Sequence, residues 1–275
     1  MAKVWFVTGS SRGLGRAIVE AALEAGDQVV ATARRPEQLD DLAAQYGDRI
    51  LPLALDVTDN DAVVGAVHAG LTRFGRYDVI VNNAGYGDVA AIEDVTLDDF
   101  RAQIDTNFYG VVHVTKATLP ILRKQGAGHI FQVSSLGGRL GTPGLAAYQS
   151  AKWAVGGFST VLAQEVAPLG IKVTVLEPGG MRTDWAGSSM TIPPISEDYQ
   201  QTVGTLSEMV RSAAGSEEIE PAKLARKIHD LANREDAPVR ILFGTQAYQY
   251  AQSIAQALTE SDELWRTLSE SVNFD

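Results

Sequence analysis

The segment "VTGSSRGLGRAIVEAAL", residues 7–23, joins a short apolar run to a stretch whose apolar residues recur at helical spacing. Gly9, Gly13 and Gly15 lie at the junction in the spacing G-x-x-x-G-x-G. Glycines at such a turn let the backbone approach a phosphate group, and a helix N-terminus favours negative charge. The spacing differs from the more familiar G-x-G-x-x-G, and loops are often glycine-rich without binding anything. Taken alone, the segment predicts a strand, a tight turn and a helix that form a candidate phosphate-binding loop.

Six further strand candidates follow, and the spacers between most of them are long enough to hold a helix. They are "DQVVATA", "RILPLALDV", "YDVIVNNAG", "GHIFQVSS", "IKVTVLEPG" and "VRILFG". Near-continuous apolar runs are typical of strands that are buried on both faces. The sequence therefore predicts an α/β fold, a doubly wound, seven-stranded parallel sheet flanked by helices, in a single domain over residues 1–275.

Three signals predict helix positions within this fold. Pro36 is placed to open the second helix, and Asp59 is placed to cap the third. The segment from Leu97 to Leu122 has the apolar spacing of one long amphipathic helix.

Two segments depart from the alternation of strands and helices. Residues 185–220 begin with "WAGSSMTIPPISEDY", in which large apolar residues alternate with small polar ones. This composition suits a mobile lid over an apolar substrate, and it suits equally a surface helix that packs its apolar side on the body. Residues 244–275 predict a helical C-terminal extension.

Composition and charge exclude several classes of function. The 275 residues include 23 basic and 34 acidic side chains, and the resulting net charge of -11 disfavours nucleic acid and anionic membranes as partners. No cysteine is present, and the four histidines share no ligand spacing, so no metal site is expected. The N-terminus lacks the features of a signal peptide, and no apolar stretch is long enough to span a membrane. These observations predict a cytoplasmic protein that acts on small molecules.

A tyrosine and a lysine lie four positions apart in "AAYQSAKWAVGGF", residues 146–158. On a helix, Tyr148 and Lys152 are neighbours on one face. Such a pair is common on the surface of amphipathic helices, so the spacing alone does not establish a catalytic role.

Taken in order and spacing, the motifs resemble those of the short-chain dehydrogenase/reductase family, over roughly residues 3–185. "TGSSRGLG" resembles the cofactor loop of the family, and "NNAG" resembles its motif after the fourth strand. Asn107 in "IDTNFYG" matches the asparagine of the fourth helix, and Ser135 precedes Tyr148 by the 13 residues of the family pattern. "EPGGMRT" resembles the turn that faces the nicotinamide. The resemblance implies a Rossmann-like fold.

The resemblance also implies a catalytic set of Asn107, Ser135, Tyr148 and Lys152. A free phenol has a pKa of about 10, so Tyr148 needs nearby positive charge to exchange protons near neutral pH. Lys152 would supply that charge and bind the nicotinamide ribose, while Ser135 would donate a hydrogen bond to the reacting oxygen. Asn107 would disturb its helix locally and hold a water that relays protons to Lys152, although a mid-helix asparagine is also compatible with plain solvent exposure.

The cofactor implied by these motifs is NADP(H). Relatives that use NAD generally carry an acidic residue at the end of the second strand, where it binds the ribose 2′-hydroxyl. Here that position is Ala33, followed by Arg34, and Arg12 enters from the glycine loop, so two guanidinium groups would bind a 2′-phosphate. Both arginines are also compatible with solvated surface charges. The expected cofactor contacts are Gly9, Ser11, Arg12, Gly13, Leu14, Gly15, Arg34, Asp56, Val57, Asn83, Ala84, Gly85, Tyr148, Lys152, Pro178, Gly179 and Thr183.

The predicted activity is that of an NADP-dependent carbonyl reductase or alcohol dehydrogenase acting on an apolar carbonyl/alcohol pair of medium size. The alternative is a regulatory protein that senses NADP without turnover, but such a sensor has no need for the complete catalytic set. The expected substrate contacts are Leu145, Trp185 and Met190. The resemblance implies a homo-oligomer, with a dimer through the fourth and fifth helices favoured. A tetramer is the alternative, but the tail lacks the family's usual glycine-rich ending, which disfavours tetramer formation through the terminal strand.

Overall fold

The structure is a computed structural model that describes residues 2–187 and 189–274. Met1, Ser188 and Asp275 lie outside the described residues. The predicted domain 1–275, lid 185–220 and extension 244–275 each include one or more of these positions.

Seven parallel strands form one sheet, as the apolar runs predict. They are β1 (Val4–Thr8), β2 (Gln28–Ala33), β3 (Ile50–Ala54), β4 (Val79–Asn82), β5 (Gly128–Val133), β6 (Ile171–Pro178) and β7 (Arg240–Phe243). The strand order is β3-β2-β1-β4-β5-β6-β7, and every neighbouring pair is parallel. The order reverses between β1 and β4. Ligands of such sheets bind beyond the carboxyl ends of the strands at this reversal.

Helices cover both faces of the sheet. They are α1 (Gly13–Glu24), α2 (Asp40–Tyr46), α3 (Asn60–Phe74), α4 (Leu97–Ile104), α5 (Gly110–Gln125), α6 (Ala146–Val166), α7 (Thr205–Ala213), α8 (Pro221–Ala232) and α9 (Thr245–Glu270). Along β1, Trp5 and Val7 belong to a core shared with α1 and α8, whereas Val4 and Phe6 belong to the core beneath α3, α5 and α6. This alternation follows from the two-residue period of a strand and explains why both faces must be apolar.

Two of the three helix signals need correction. The segment from Leu97 to Leu122 is not one continuous α-helix, because a π-helical turn at Asp105–Tyr109 separates α4 from α5. Pro36 opens a 3₁₀ turn that leads into α2, not the α-helix itself. Asp59 caps α3 as predicted, and its carboxylate accepts hydrogen bonds from the amides of Asp61 and Ala62, both at 3.0 Å.

The segment after β6 is a series of short turns around a small apolar cluster. Val89, Ala91, Leu145 and Val203 form its buried centre, and Trp185 and Met190 pack against them. Beyond β7, α9 buries only Ala247 and Ala251 among its residues. None of the described helices is both long and apolar enough to cross a bilayer.

The predicted fourth helix corresponds to α4, the π-helical turn and α5, so the predicted fifth helix corresponds to α6. Tyr109 of the π-helical turn and Val161 of α6 expose large parts of their side chains. Dimerisation through this face stays a prediction.

Candidate active site

A cavity of about 950 Å³ opens at the carboxyl ends of the strands, at the reversal of strand order. The sequence-predicted residues that line it are Gly9, Ser11, Arg12, Gly13, Leu14, Arg34, Asp56, Val57, Asn83, Ala84, Gly85, Asn107, Ser135, Leu145, Tyr148, Lys152, Pro178, Gly179, Thr183 and Trp185. Two predicted contacts, Gly15 and Met190, lie outside this lining. The structure therefore brings together all four residues of the expected catalytic set.

The glycine loop lies between β1 and α1. Gly9 and Gly13 have φ values of +66° and +55°, in the left-handed region that favours glycine. Gly15 is buried, and a β-carbon there would overlap the carbonyl of Gly9 and the amide of Asn83. Gly15 therefore allows α1 to pack closely against the loop, while Gly9 and Gly13 line the cavity, and the expected cofactor contact of Gly15 stays a prediction.

The end of β4 is tied to the glycine loop by hydrogen bonds. The hydroxyl of Thr8 accepts from the amides of Asn83 at 2.9 Å and Ala84 at 3.0 Å. The side-chain amide of Asn83 donates to the carbonyls of Thr8 at 2.9 Å and Gly9 at 3.1 Å. These bonds hold the cavity floor against the loop.

Two arginines border the end of β2. Ala33 is buried at that end, and the exposed side chains of Arg34 and Arg12 both line the cavity. Among the ion pairs of the described residues, neither arginine has an acidic partner, whereas Arg16 pairs with Glu20 and Asp41. Asp56 also lines the cavity and accepts hydrogen bonds from Thr58, not from a helix terminus.

Tyr148 and Lys152 lie on the cavity side of α6, where only 9% and 4% of their surfaces are exposed. The ammonium of Lys152 lies 5.6 Å from the centroid of the Tyr148 ring and donates to the carbonyl of Val133 at 2.8 Å. Ser135 lines the cavity with Tyr148, and the nearness of its hydroxyl slightly lowers the pKa of the phenol. The neighbouring hydroxyl of Ser134 instead donates to the backbone carbonyl of Lys152 at 3.1 Å, so Ser135 is the serine that faces the tyrosine.

Burial sets the proton affinities of the pair. It raises the pKa of Tyr148 to about 12, against a smaller lowering by the nearby hydroxyl of Ser135. Burial likewise lowers the pKa of Lys152 to about 8, because desolvation disfavours the ammonium. The phenol is therefore neutral at neutral pH, and the lysine is charged there but loses its proton in the mildly alkaline range.

Asn107 occupies the π-helical turn between α4 and α5 and is fully buried. Its amide group donates to the carbonyls of Gln103 and Tyr86, both at 2.8 Å, and its oxygen accepts from the amide of Tyr86 at 3.2 Å. A β-carbon on Gly85 would lie 2.5 Å from the Asn107 oxygen and 3.5 Å from the Lys152 ammonium. Asn107 and Lys152 thus flank Gly85, and the predicted disturbance of the helix is present.

Thr183 and Trp185 lie in the turn that follows β6, and both line the cavity. The hydroxyl of Thr183 accepts from the Trp185 amide at 3.3 Å, and its methyl group lies where it would contact a β-carbon on Gly13. The Trp185 ring packs against the Tyr148 ring with centroids 5.2 Å apart. Met190 packs against the apolar cluster and is not among the residues that line the cavity, and its predicted contact with the substrate stays a prediction.

Sequence reasoning missed a second group of lining residues. Tyr250, Ile254 and Leu258 reach the cavity from α9, more than 90 residues after the Tyr–Lys pair. Their spacing of four residues marks one face of a helix, but it does not indicate where that helix packs.

The fold and the site define a doubly wound α/β protein with a glycine-rich loop after the first strand and a buried Tyr–Lys pair, both in one cleft. The family model described as short chain dehydrogenase matches residues 3–191. The chain is 61% identical, over 98% of both proteins, to Oxidoreductase BOA17 of Botryotinia fuckeliana.

Solved structures agree with this assignment. A short-chain dehydrogenase from Streptomyces avermitilis is 38% identical and superposes with a TM-score of 0.94 over the whole of both chains. An alcohol dehydrogenase from the archaeon Thermococcus sibiricus, complexed with 5-hydroxy-NADP, is 26% identical with a TM-score of 0.73, and the match covers 88% of this chain and 96% of that one. The chain belongs to the short-chain dehydrogenase/reductase family and is an oxidoreductase.

Proposed function

We propose that the protein uses NADP(H) to interconvert a carbonyl compound and its secondary alcohol, and that its substrate is apolar and of medium size. The observation that carries this proposal is the convergence of Ser135, Tyr148, Lys152 and Asn107 in the cavity that the glycine loop borders. A protein that only senses a dinucleotide has no use for a buried proton donor beside the cleft.

The residues present fit NADP(H). Gly9 and Gly13 adopt positive φ values and place no side chain in the loop before α1, which suits a pyrophosphate at the helix N-terminus. Arg12 and Arg34, with no acidic partner among the described residues, suit the 2′-phosphate. Asp56, Lys152 and Thr183 would bind the adenine, the nicotinamide ribose and the carboxamide. The bound 5-hydroxy-NADP of the Thermococcus sibiricus enzyme supports this choice by similarity.

NADPH, when bound, supplies the hydride, and the chain supplies the proton. Tyr148, with its pKa raised to about 12, is in the neutral form that can donate a proton to the carbonyl oxygen. Ser135 donates a hydrogen bond to the same oxygen as negative charge develops there. The Lys152 ammonium stabilises the phenolate that remains, and Asn107 holds the backbone across Gly85 from it.

The test is NADPH consumption, followed by absorbance, with a panel of neutral aryl and alicyclic ketones and aldehydes. Tyr148→Phe keeps the ring and removes the proton donor, so its turnover should fall by at least about a hundredfold. NADPH affinity, measured by fluorescence titration, should be unchanged in that variant. Near-native turnover of Tyr148→Phe with NADPH bound would overturn the proposed role.

A further inference from the structure

The C-terminal helix α9 forms part of the cavity wall. Tyr250, Ile254 and Leu258 line the cavity, and their spacing of four residues places all three on one side of the helix. The opposite side of the helix carries Gln252 and Gln256, and the flanks of the stripe carry small residues such as Ser253 and Ala255. We call Tyr250, Ile254 and Leu258 the α9 stripe.

The start of α9 is fixed against the turn that follows β6. Ala247 is fully buried, and its β-carbon would lie 3.1 Å from a β-carbon on Gly179, so two small residues permit this close approach. The amide of Gln246 donates to the Glu218 carboxylate at 3.1 Å. Gly179 itself lines the cavity. The stripe therefore has a defined position relative to the Tyr–Lys pair.

The stripe extends the cavity outward as an apolar track. Tyr250 and Leu258 line the cavity although 59% and 56% of their surfaces are exposed, whereas Ile254 between them is half-buried. A helix rises 1.5 Å per residue, so the eight steps from Tyr250 to Leu258 span about 12 Å. Large apolar side chains held beside an open cleft are characteristic of ligand-binding grooves.

We propose that the α9 stripe is the outer part of the substrate subsite, and that the substrate is an elongated carbonyl compound with an apolar arm. The reacting carbonyl lies at Tyr148, beneath Trp185, and the arm runs along α9 toward Leu258. This inference rests on the proposed function and extends it from a medium-sized apolar substrate to one of defined shape. The occupant of the stripe is the arm of the substrate, because the stripe is continuous with the cavity that holds Tyr148 and Lys152.

The experiment uses methyl n-alkyl ketones of increasing length, from butanone to dodecanone, with the full-length protein. For wild type, kcat/KM should rise about two- to fourfold per methylene while the arm is being covered, as expected for burial of apolar surface, and then level off. Affinity for the same ketones in the presence of NADP⁺, measured by calorimetry, should follow the same trend.

Leu258→Asp and Leu264→Asp form a matched pair of variants. Both replace an exposed leucine of α9, but Leu258 lines the cavity whereas Leu264, 77% exposed, does not. Leu258→Asp should lower kcat/KM for the longest ketones at least about tenfold more than it lowers kcat/KM for butanone. Leu264→Asp should behave as wild type at every length.

The outcomes separate this inference from the proposed function. Turnover without any dependence on chain length, or an equal loss at all lengths in Leu258→Asp, overturns the role of the stripe and leaves the reductase activity standing. Binding that strengthens with length and weakens in Leu258→Asp, but with no turnover of any ketone, supports the stripe and contradicts the reductase. Leu258→Asp could also dissociate an oligomer without changing how kcat/KM depends on ketone length. That result would show that the stripe contacts a second copy of the chain, and it would also overturn the proposal.

Discussion

Lys152 must be charged to stabilise a phenolate at Tyr148, but its burial disfavours the charged form. Its ammonium donates to the Val133 carbonyl and lies 5.6 Å from the Tyr148 ring centroid, so it is placed to stabilise a phenolate. Burial meanwhile favours the neutral form of each side chain, raising the pKa of Tyr148 and lowering that of Lys152. The spacing of the two residues predicts their contact, but their burial, which sets the pKa values, follows only from the packing of α6 against the cavity.

The rate of carbonyl reduction should therefore depend on the protonation of Lys152. Because the pKa of Lys152 is lowered to about 8, the lysine is charged below that pH and neutral above it. We expect kcat/KM for an apolar ketone to be level near pH 7 and to fall as the pH rises through about 8, approaching about tenfold per pH unit. Initial rates with NADPH across this range check the expectation.

Lys152→Arg is the control for this pH profile. Arginine stays charged throughout the range, so the alkaline fall should disappear even if the rate itself is lower. A fall that remains at the same pH in Lys152→Arg would assign the titration to another group.

The proposed preference for NADPH also rests on single residues. Ala33 leaves the end of β2 without the carboxylate that would repel a 2′-phosphate, and Arg34 and Arg12 supply positive charge beside it. The double variant Ala33→Asp, Arg34→Ala should shift the ratio of kcat/KM for NADPH to that for NADH toward NADH by at least about tenfold, since hydrogen bonds to charged groups contribute about 1.5–3 kcal/mol.

Arg35→Ala is the matched control for that double variant. Arg35 is exposed next to Arg34 but does not line the cavity, so its removal should leave the preference unchanged. Equal efficiency of the wild-type enzyme with NADH and NADPH would show that the two arginines do not distinguish the cofactors.

The sequence predicts individual strands and helices more fully than the way in which they pack together. Apolar runs such as "YDVIVNNAG" identify strands buried on both faces, because each face requires its own core. The π-helical turn at Asn107 is invisible to apolar spacing, since both α4 and α5 continue the same amphipathic pattern. The position of α9 depends on small residues, Ala247 against Gly179, whose contact across the chain no local pattern records.

A buried carboxylate connects four elements below the cavity. Glu177, at the end of β6, is fully buried and accepts hydrogen bonds from Arg139 at 2.9 Å and from Arg240 of β7 at 3.1 Å. Arg139 follows Ser135 in the loop after β5 and lines the cavity, and Arg240 packs beside Gly156 of α6. This network ties the serine loop, β6, β7 and the catalytic helix together.

Glu177→Gln should destabilise the protein, because two guanidinium groups would lose their shared counter-charge. Breaking a buried ion pair costs about 3–5 kcal/mol, and since each arginine is nearly one-third exposed we expect about 2 kcal/mol here. Thermal unfolding should show a melting temperature lower by roughly 4–8 °C. Glu263→Gln, which removes an exposed partner of Arg266, should change it by less than about 1 °C. Equal melting temperatures for both variants would contradict the network's role.

The molecule as a whole carries a net charge of -11, and yet its candidate active site contains several cations. Arg12 and Arg34 are the proposed ligands of the cofactor phosphate, and Arg139 shares the one carboxylate of Glu177 with Arg240. Lys152 lies beside Tyr148 and is proposed to bind the ribose. Each cation among the described residues that line the cavity thus has an ion-pair partner or a proposed role, and Asp184 adds a negative charge near Trp185.

The overall charge should therefore select neutral substrates over anionic ones. Para-methylacetophenone and para-acetylbenzoate present the same ketone and nearly the same shape, but only the second carries a carboxylate. We expect kcat/KM to be at least about tenfold higher for the neutral ketone at low ionic strength, because the negative potential of the protein lowers the local concentration of anions.

The ratio of the two kcat/KM values should shrink as salt is added, since the Debye length falls from about 30 Å at 0.01 M to about 10 Å at 0.1 M. A residual preference at high salt measures the apolar lining by Leu145 and Trp185, which ions do not screen. Comparable rates on the two ketones at low salt would mean that a cationic group in the cavity binds the carboxylate and that the charge of the molecule does not govern substrate choice.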